Sequence, residues 1–123
     1  MTLTNNEIYL YAKNLVEAFN DKDQKLPIKI NFYLQKNKNT LIELASSIEV
    51  ARMEIAKNYG NLDAESQQYV IPPEKIEEVN KELMDLLSLE QEVQIYMINI
   101  DNLSDDIALT TAQMEAIMFM IEQ

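Results

Sequence analysis

The chain has 123 residues, a formal net charge of −11, 47% hydrophobic residues, one glycine, and neither cysteine nor histidine. A length and an apolar content of this order predict a single domain over residues 1–123, and the scarcity of glycine favours long helices. The missing cysteine and histidine exclude disulfides, thiolate chemistry and Ser–His–Asp or Cys–His catalysis, and one glycine excludes a Gly-rich phosphate loop.

The first predicted helix covers residues 5–20. Thr4 and Glu7 have the spacing of a capping box, in which the hydroxyl accepts a first-turn N–H and the carboxylate reaches back. Apolar side chains then recur at helical spacing, namely Ile8, Tyr11, Ala12, Leu15, Val16 and Phe19. The polar run Asn20-Asp21-Lys22-Asp23 ends the segment.

A long second helix is predicted over residues 27–59. Pro27 suits its first position, and Gly60 stands where a left-handed cap is expected. Its apolar stripe comprises Ile28, Ile30, Leu34, Leu41, Leu44, Ala45, Ile48, Ala51, Ile55 and Tyr59. Thr40 with Glu43 forms a second possible capping box that would split the helix, but continuity is favoured because neither proline nor glycine interrupts it.

The length of this helix predicts an interaction. Residues 27–59 would form a rod of roughly 50 Å, whereas a compact domain of this size is roughly 35 Å across. A rod that overhangs its own domain needs a partner for its apolar stripe. Leu34 and Leu41 on that stripe are therefore candidate partner-binding residues.

A third helix is predicted over residues 73–89. Tyr69-Val70-Ile71 before it favours a short strand, and Pro72-Pro73 suits a helix start. Its buried face would comprise Ile76, Val79, Leu83, Leu86 and Leu87, packed against the long helix as a helical hairpin. Its acidic face would comprise Glu77, Glu78, Glu82 and Asp85.

The C-terminal third predicts a small β element followed by a helix. Alternating β-formers favour a strand near residues 93–100, and Ile107-Ala108-Leu109 is a possible second strand. Thr110 and Gln113 have capping-box spacing before a helix over residues 111–122. One face of that helix would carry Met114, Ile117, Met118 and Ile121, and another would carry Ala116, Phe119 and Met120. A helix that is apolar on two sides is buried on two sides, either by the chain's own core against the long helix or with one side against a partner. For the second case, the further candidate partner-binding residues are Met114, Met118, Phe119 and Met120.

Together these elements predict a mainly α fold: a long helical hairpin with an N-terminal helix, a C-terminal helix and a small β element. Residues 1–39 carry six lysines against four acids, and residues 40–123 carry four bases against seventeen acids. So acidic a body repels nucleic acid and anionic lipid, and the sequence has no run of 18 apolar residues for a membrane span. The segment 101–106 lacks the glycine of a calcium loop, so neither a metal nor a cofactor is expected.

Four stretches resemble a family of small proteins of unknown function from tailed phages and prophages of Gram-positive bacteria. They are LPIKINFYLQKNKNTL, ARMEIAKNYG, IPPEKIEEVNKEL and LTTAQMEAIMFMIE. The resemblance runs over nearly the whole chain, but it consists of helix patterns and not of chemical signatures. It implies a phage origin and the cytoplasm of an infected bacterium, and it transfers no catalytic residue or cofactor.

These observations lead to three functional hypotheses. The first is a non-enzymatic interaction protein, serving in virion assembly, that binds itself or another protein through the long helix and the C-terminal helix. The second is an acidic inhibitor of a host nucleic-acid-processing or defence enzyme, acting by protein binding or nucleic-acid mimicry. The third is an enzyme that works through carboxylates alone.

Overall fold

The computed structural model describes residues 1–99, 101, 103 and 107–122. Its helices are α1 (Asn5–Ala18), α2 (Ile28–Tyr59), α3 (Ile76–Ser88) and α4 (Thr111–Ile117), with 3-10 turns at Pro73–Lys75 and Met118–Met120. Its short strands are β1 (Thr2–Thr4), β2 (Asn61–Leu62), β3 (Tyr69–Val70), β4 (Glu90–Glu92), β5 (Ile98–Asn99) and β6 (Ile121–Glu122). The predicted fold class, mainly α with a minor β component, is confirmed.

Helix α1 begins with the predicted capping box. Thr4 Oγ1 accepts a hydrogen bond from the Glu7 backbone N–H at 3.1 Å, and Glu7 Oε1 accepts one from the Thr4 backbone N–H at 2.9 Å. The helix ends at Ala18, two residues before the predicted end. Its buried face carries Ile8, Ala12 and Leu15.

Helix α2 is continuous over 32 residues, so the second capping box at Thr40 does not split it. At 1.5 Å per residue it is roughly 48 Å long. Its fully buried residues, which we name the core stripe, are Ile30, Leu34, Asn37, Leu41 and Ile48. Beyond Ile48, every residue of α2 is exposed or only partly buried. Helix α3 packs against α2, as the predicted helical hairpin requires.

Gly60 after α2 is not the left-handed cap that the sequence predicts. Its φ of −104° and ψ of 167° are extended, and its N–H donates to the Ala56 carbonyl oxygen at 2.8 Å. A Cβ atom at this position would lie 2.7 Å from that oxygen and 3.0 Å from Cδ1 of Ile71. The chain therefore needs glycine here for a close approach between segments.

The strands form three short pairs. Antiparallel β1 and β4 join the N-terminus to the segment after α3, with Thr2 opposite Glu92. Antiparallel β2 and β3 form a hairpin after α2, which confirms the strand predicted near Tyr69. Parallel β5 and β6 place Ile98 beside Ile121.

The strand predicted over residues 93–100 is largely wrong. Only Ile98–Asn99 is a strand, Ile100 lies outside the described residues, and residues 93–97 are irregular. Asn37 on α2 explains the difference. Its Oδ1 accepts from the Tyr96 N–H at 2.8 Å, and its Nδ2 donates to the Tyr96 carbonyl at 2.9 Å. A side-chain amide thus takes the place of a partner strand.

The helix predicted over residues 111–122 is too long. The Thr110–Gln113 capping box is confirmed, but α4 ends at Ile117 and tightens into the 3-10 turn before β6. The tighter turn changes which side chains share a face, so Met118 is exposed while Met120 and Ile121 are buried. Residues 107–109, a possible strand, have no regular structure.

The core lies among α1, the first two-thirds of α2 and α4, and two further buried amides tie helices to distant segments. Asn5 Nδ2 donates to the Leu86 carbonyl at 2.8 Å and joins the start of α1 to α3. Gln113 Nε2 donates to the Ala18 carbonyl at 2.8 Å and exchanges hydrogen bonds with the Gln24 amide. In the described part of the chain, no helix combines the length and the apolarity needed to cross a bilayer.

Candidate interaction surface

Helix α2 carries a second apolar face that points to solvent. We name it the outer stripe, and its members are Ile28, Phe32, Ile42, Val50 and Met53. Between 41% and 88% of each side chain is exposed. Singly scattered exposed apolar residues are ordinary on a protein surface, but five on one helix face form a candidate contact surface.

The outer stripe lies nearly opposite the core stripe. At 100° per residue, its five members fall within an arc of roughly 80° around the helix axis. Ile28 was predicted on the same apolar stripe as Ile30 and Leu34, but it is 88% exposed and lies on the opposite face of α2. The other four members were not predicted, although they recur at helical spacing on the opposite side of α2 from the core stripe.

A groove between α1 and α2 adjoins the outer stripe at Ile42. Its volume is about 300 Å³, and its lining is mostly apolar. The lining residues are Tyr9, Ala12, Lys13, Val16, Glu17, Ile42 and Ala45. Val16 is also substantially exposed, so α1 widens the apolar surface that α2 presents.

A polar triad holds α1 to α2 beside this surface. The Tyr9 hydroxyl donates to Glu49 Oε2 at 2.6 Å, and Arg52 Nη2 donates to Glu49 Oε1 at 2.8 Å. Burial and the hydrogen bond to Glu49 raise the pKa of Tyr9 to about 12. The hydrogen bond from Tyr9, followed by that from Arg52, lowers the pKa of Glu49. The triad fixes the surface next to Val50.

The charges beside the outer stripe change sign along α2. The stretch from Ile28 to Thr40 carries three lysines and no acid, and the stretch from Leu41 to Tyr59 carries three glutamates with Arg52 and Lys57. The lysines are Lys29, Lys36 and Lys38, and the glutamates are Glu43, Glu49 and Glu54. Lys36 Nζ lies 5.6 Å from the centre of the Phe32 ring, a cation–π contact at the edge of the stripe.

The structure divides the six apolar residues predicted to bind a partner. Leu34, Leu41 and Met120 are almost fully buried in the chain's own core, so their assignment as contact residues is corrected. Met114 and Phe119 are partly buried, and the Phe119 ring stacks on Tyr11 with centroids 4.3 Å apart. Met118, 52% exposed, is the member of this set with most of its surface available to a partner.

The predicted acidic face, Glu77, Glu78, Glu82 and Asp85, is exposed on α3. Glu82 accepts a hydrogen bond from the Tyr59 hydroxyl at 3.1 Å, and that bond raises the pKa of Tyr59. Glu77 and Asp85 flank a wide depression of about 620 Å³ that also exposes Met84. Within residues 1–99, 101, 103 and 107–122, no three acidic side chains converge as a metal site would require.

No protein-family model matches the chain, and no curated protein or solved structure is significantly similar to it. The resemblance to phage proteins therefore stays a prediction.

Proposed function

We propose that the protein is a non-enzymatic protein–protein interaction module of phage origin. It acts in the cytoplasm of an infected bacterium, with virion assembly as its setting, and needs no cofactor. The contacts come from the outer stripe of α2 and from Met118 after α4. The observation that supports the proposal is the outer stripe itself, a second apolar face on a helix whose first face already forms the core.

The energetics favour covering this face. Burying a large aliphatic or aromatic side chain stabilises a complex by roughly 1.5–3 kcal/mol when the whole side chain leaves water. Ile28, Phe32 and Val50 each have more than half of their surface still to bury. A partner with a complementary apolar face would bury much of this exposed surface, and the burial would stabilise the complex.

The surface is also preformed before binding, because it lies on a continuous helix. The core stripe anchors one side of α2, and the Tyr9–Glu49–Arg52 triad fixes α1 beside it. A preformed helical face loses little conformational entropy on association, so more of the burial free energy appears as affinity. This arrangement suits a helix-packing partner and not a flexible tail that must be ordered by the contact.

Capture of partners from infected cells tests the proposal. The tagged wild-type chain is compared with a Phe32→Gln/Val50→Gln variant and with Met84→Gln, which changes an apolar residue on α3 that is even more exposed. We expect the tagged wild type and tagged Met84→Gln to retain the same partner, which is either a phage protein or an untagged copy of this chain. The outer-stripe variant should lose it while circular dichroism shows an intact fold. Equal capture by all three would contradict the proposal.

A second candidate is the acidic inhibitor, because the four predicted acids are exposed on one helix, with Glu77 and Asp85 beside Met84. Binding to a basic enzyme groove would weaken steeply as salt rises. Reversal of Glu77, Glu78 and Glu82 to lysine should abolish that binding. Inhibition that survives both high salt and the triple reversal would rule this candidate out.

A further inference from the structure

We infer that the outer stripe takes a second copy of this chain, with the two α2 helices antiparallel about a two-fold axis near residues 39–42. The inference rests on the proposed function, since it assigns an occupant to the same contact surface. Two-fold dimers use one patch twice, so every contact between residues i and j is repeated as j and i. A self-complementary stripe is therefore the requirement.

The charge pattern of α2 meets that requirement. The basic first half of the helix, with Lys29 and Lys36, would lie against the acidic second half of the copy, with Glu43 and Glu54. All four side chains are exposed and lie on the same flank of the outer stripe at 100° per residue. In an antiparallel pair, residues on a given flank face the same flank of the copy.

The apolar and charged pairs share one centre. Ile28 would contact Met53 of the copy, and Phe32 would contact Val50 of the copy. On the flank, Lys29 would face Glu54 and Lys36 would face Glu43. In the residue numbering, the midpoints of these four pairs all fall near residues 40 and 41. A single two-fold axis therefore satisfies all of them at once.

A parallel pairing fails the same comparison. It would set the basic first half of α2 beside the basic first half of the copy, and the acidic second half beside the acidic second half. Like charges in register destabilise a helix pair, whereas opposite charges at flanking positions select the partner and its direction. The antiparallel arrangement is thus the one that the distribution of charge favours.

The polar residues of the face restrict the register. Gln35, Asn39 and Ser46 lie within the same arc as the outer stripe and are exposed. Near the axis, Asn39 would lie beside Ile42 and Asn39 of the copy.

The apolar contact spans roughly 38 Å of helix from Ile28 to Met53 and is only one helix wide, which places the interface at the small end of specific interfaces. We therefore expect a concentration-dependent dimer.

Because the chain has no cysteine, single cysteines report the arrangement directly. Asn39→Cys and Ser46→Cys are matched changes at exposed polar positions on the same face of α2. In the antiparallel dimer, residue 39 lies next to the axis, so the two thiols of Asn39→Cys come close enough to form a disulfide. The two thiols of Ser46→Cys are separated by roughly 16 Å along the helices and cannot. Under mild oxidation of the full chain at about 500 µM, we expect dimer cross-links from Asn39→Cys only.

Other cross-linking results overturn the inference. Cross-links from both variants would indicate parallel packing, and cross-links from neither would indicate that no second copy binds here. Thermal unfolding of both reduced variants controls for the fold.

A charge swap separates a second copy from another partner. Lys36→Glu should weaken the dimer several-fold through repulsion from Glu43 of the copy, and Lys36→Glu/Glu43→Lys should restore it. If the chain stays monomeric but the captured phage protein still depends on Phe32 and Val50, the proposed function stands and this inference fails. If neither self-association nor capture depends on those residues, both fail.

Discussion

The side-chain amide of Asn37 makes both of its backbone hydrogen bonds to one residue, Tyr96, at 2.8 Å and 2.9 Å. Asn37 is fully buried on the core stripe, 59 residues away in sequence. Its Nδ2 also lies 3.5 Å from Met120 Sδ, so a single amide joins α2 to the irregular segment and to the C-terminal turn. Buried polar groups of this kind are costly to leave unpaired.

Replacing Asn37 by alanine should destabilise the protein by about 2–4 kcal/mol, because the N–H and carbonyl of Tyr96 lose their partners. Denaturant unfolding measures the change. Asn31→Ala, an exposed asparagine on the same helix, is the control and should stay within about 0.5 kcal/mol of wild type. Equal losses from the two substitutions would mean that the amide does not hold this segment.

The sequence predicted the helices well because their signals are local. Residues close together in the sequence form the two capping boxes, Thr4–Glu7 and Thr110–Gln113, and the apolar periodicity of α2. The strand at 93–100 and the last turn of α4 were mispredicted because distant partners decide them. Tyr96 bonds to Asn37, and Ile121 pairs with Ile98, and neither contact leaves a trace in local periodicity.

Gly60 offers a test of the corrected cap. A left-handed position tolerates asparagine, whereas an extended, crowded position does not. Here a Cβ would meet the Ala56 oxygen at 2.7 Å, so Gly60→Asn and Gly60→Ala should both cost about 1–3 kcal/mol. The melting temperatures of the two variants test this expectation. A Gly60→Asn variant as stable as the wild type would indicate a left-handed backbone at residue 60.

The neighbouring residues Ile117 and Met118, at the end of α4, should respond differently to truncation. Ile117→Ala removes a side chain that is 2% exposed and should cost about 2–4 kcal/mol. Met118→Ala removes one that is 52% exposed and should cost less than about 0.5 kcal/mol. Urea unfolding of the pair checks the register of the C-terminal turn. If Ile117→Ala and Met118→Ala lower the free energy of unfolding by similar amounts, Met118 is buried, as an uninterrupted helix over residues 111–122 would require.

The Tyr9–Glu49 hydrogen bond should make stability depend on pH. The pKa of Glu49 is lowered from 4.5, so the stability contributed by its carboxylate is present above that value and is lost as pH falls through the folded-state pKa. Tyr9→Phe should cost about 1–2 kcal/mol at pH 7 and less at pH 3. Tyr69→Phe in β3 serves as the control. A cost for Tyr9→Phe that is the same at both pH values would show that the charged carboxylate is not involved.

The candidate surface was harder to predict than the fold. The length of α2 predicted that its apolar residues exceed what one small body can cover, but Leu34 and Leu41, the residues named for that role, fill the core. The exposed members Phe32 and Val50 obey the same helical periodicity on the opposite side. A sequence can show that a helix has two apolar faces, but the packing of the whole chain determines which face is buried in the core.

Sedimentation equilibrium over a wide range of protein concentration tests the central claim, that the outer stripe is a contact surface, most directly for a self-associating chain. The wild type and Met84→Gln should move from the mass of one chain toward that of two as concentration rises. Phe32→Gln/Val50→Gln should keep the mass of one chain throughout. A wild type that remains one chain at about 500 µM, or a stripe variant that dimerises as well as the wild type, would contradict self-association through this face.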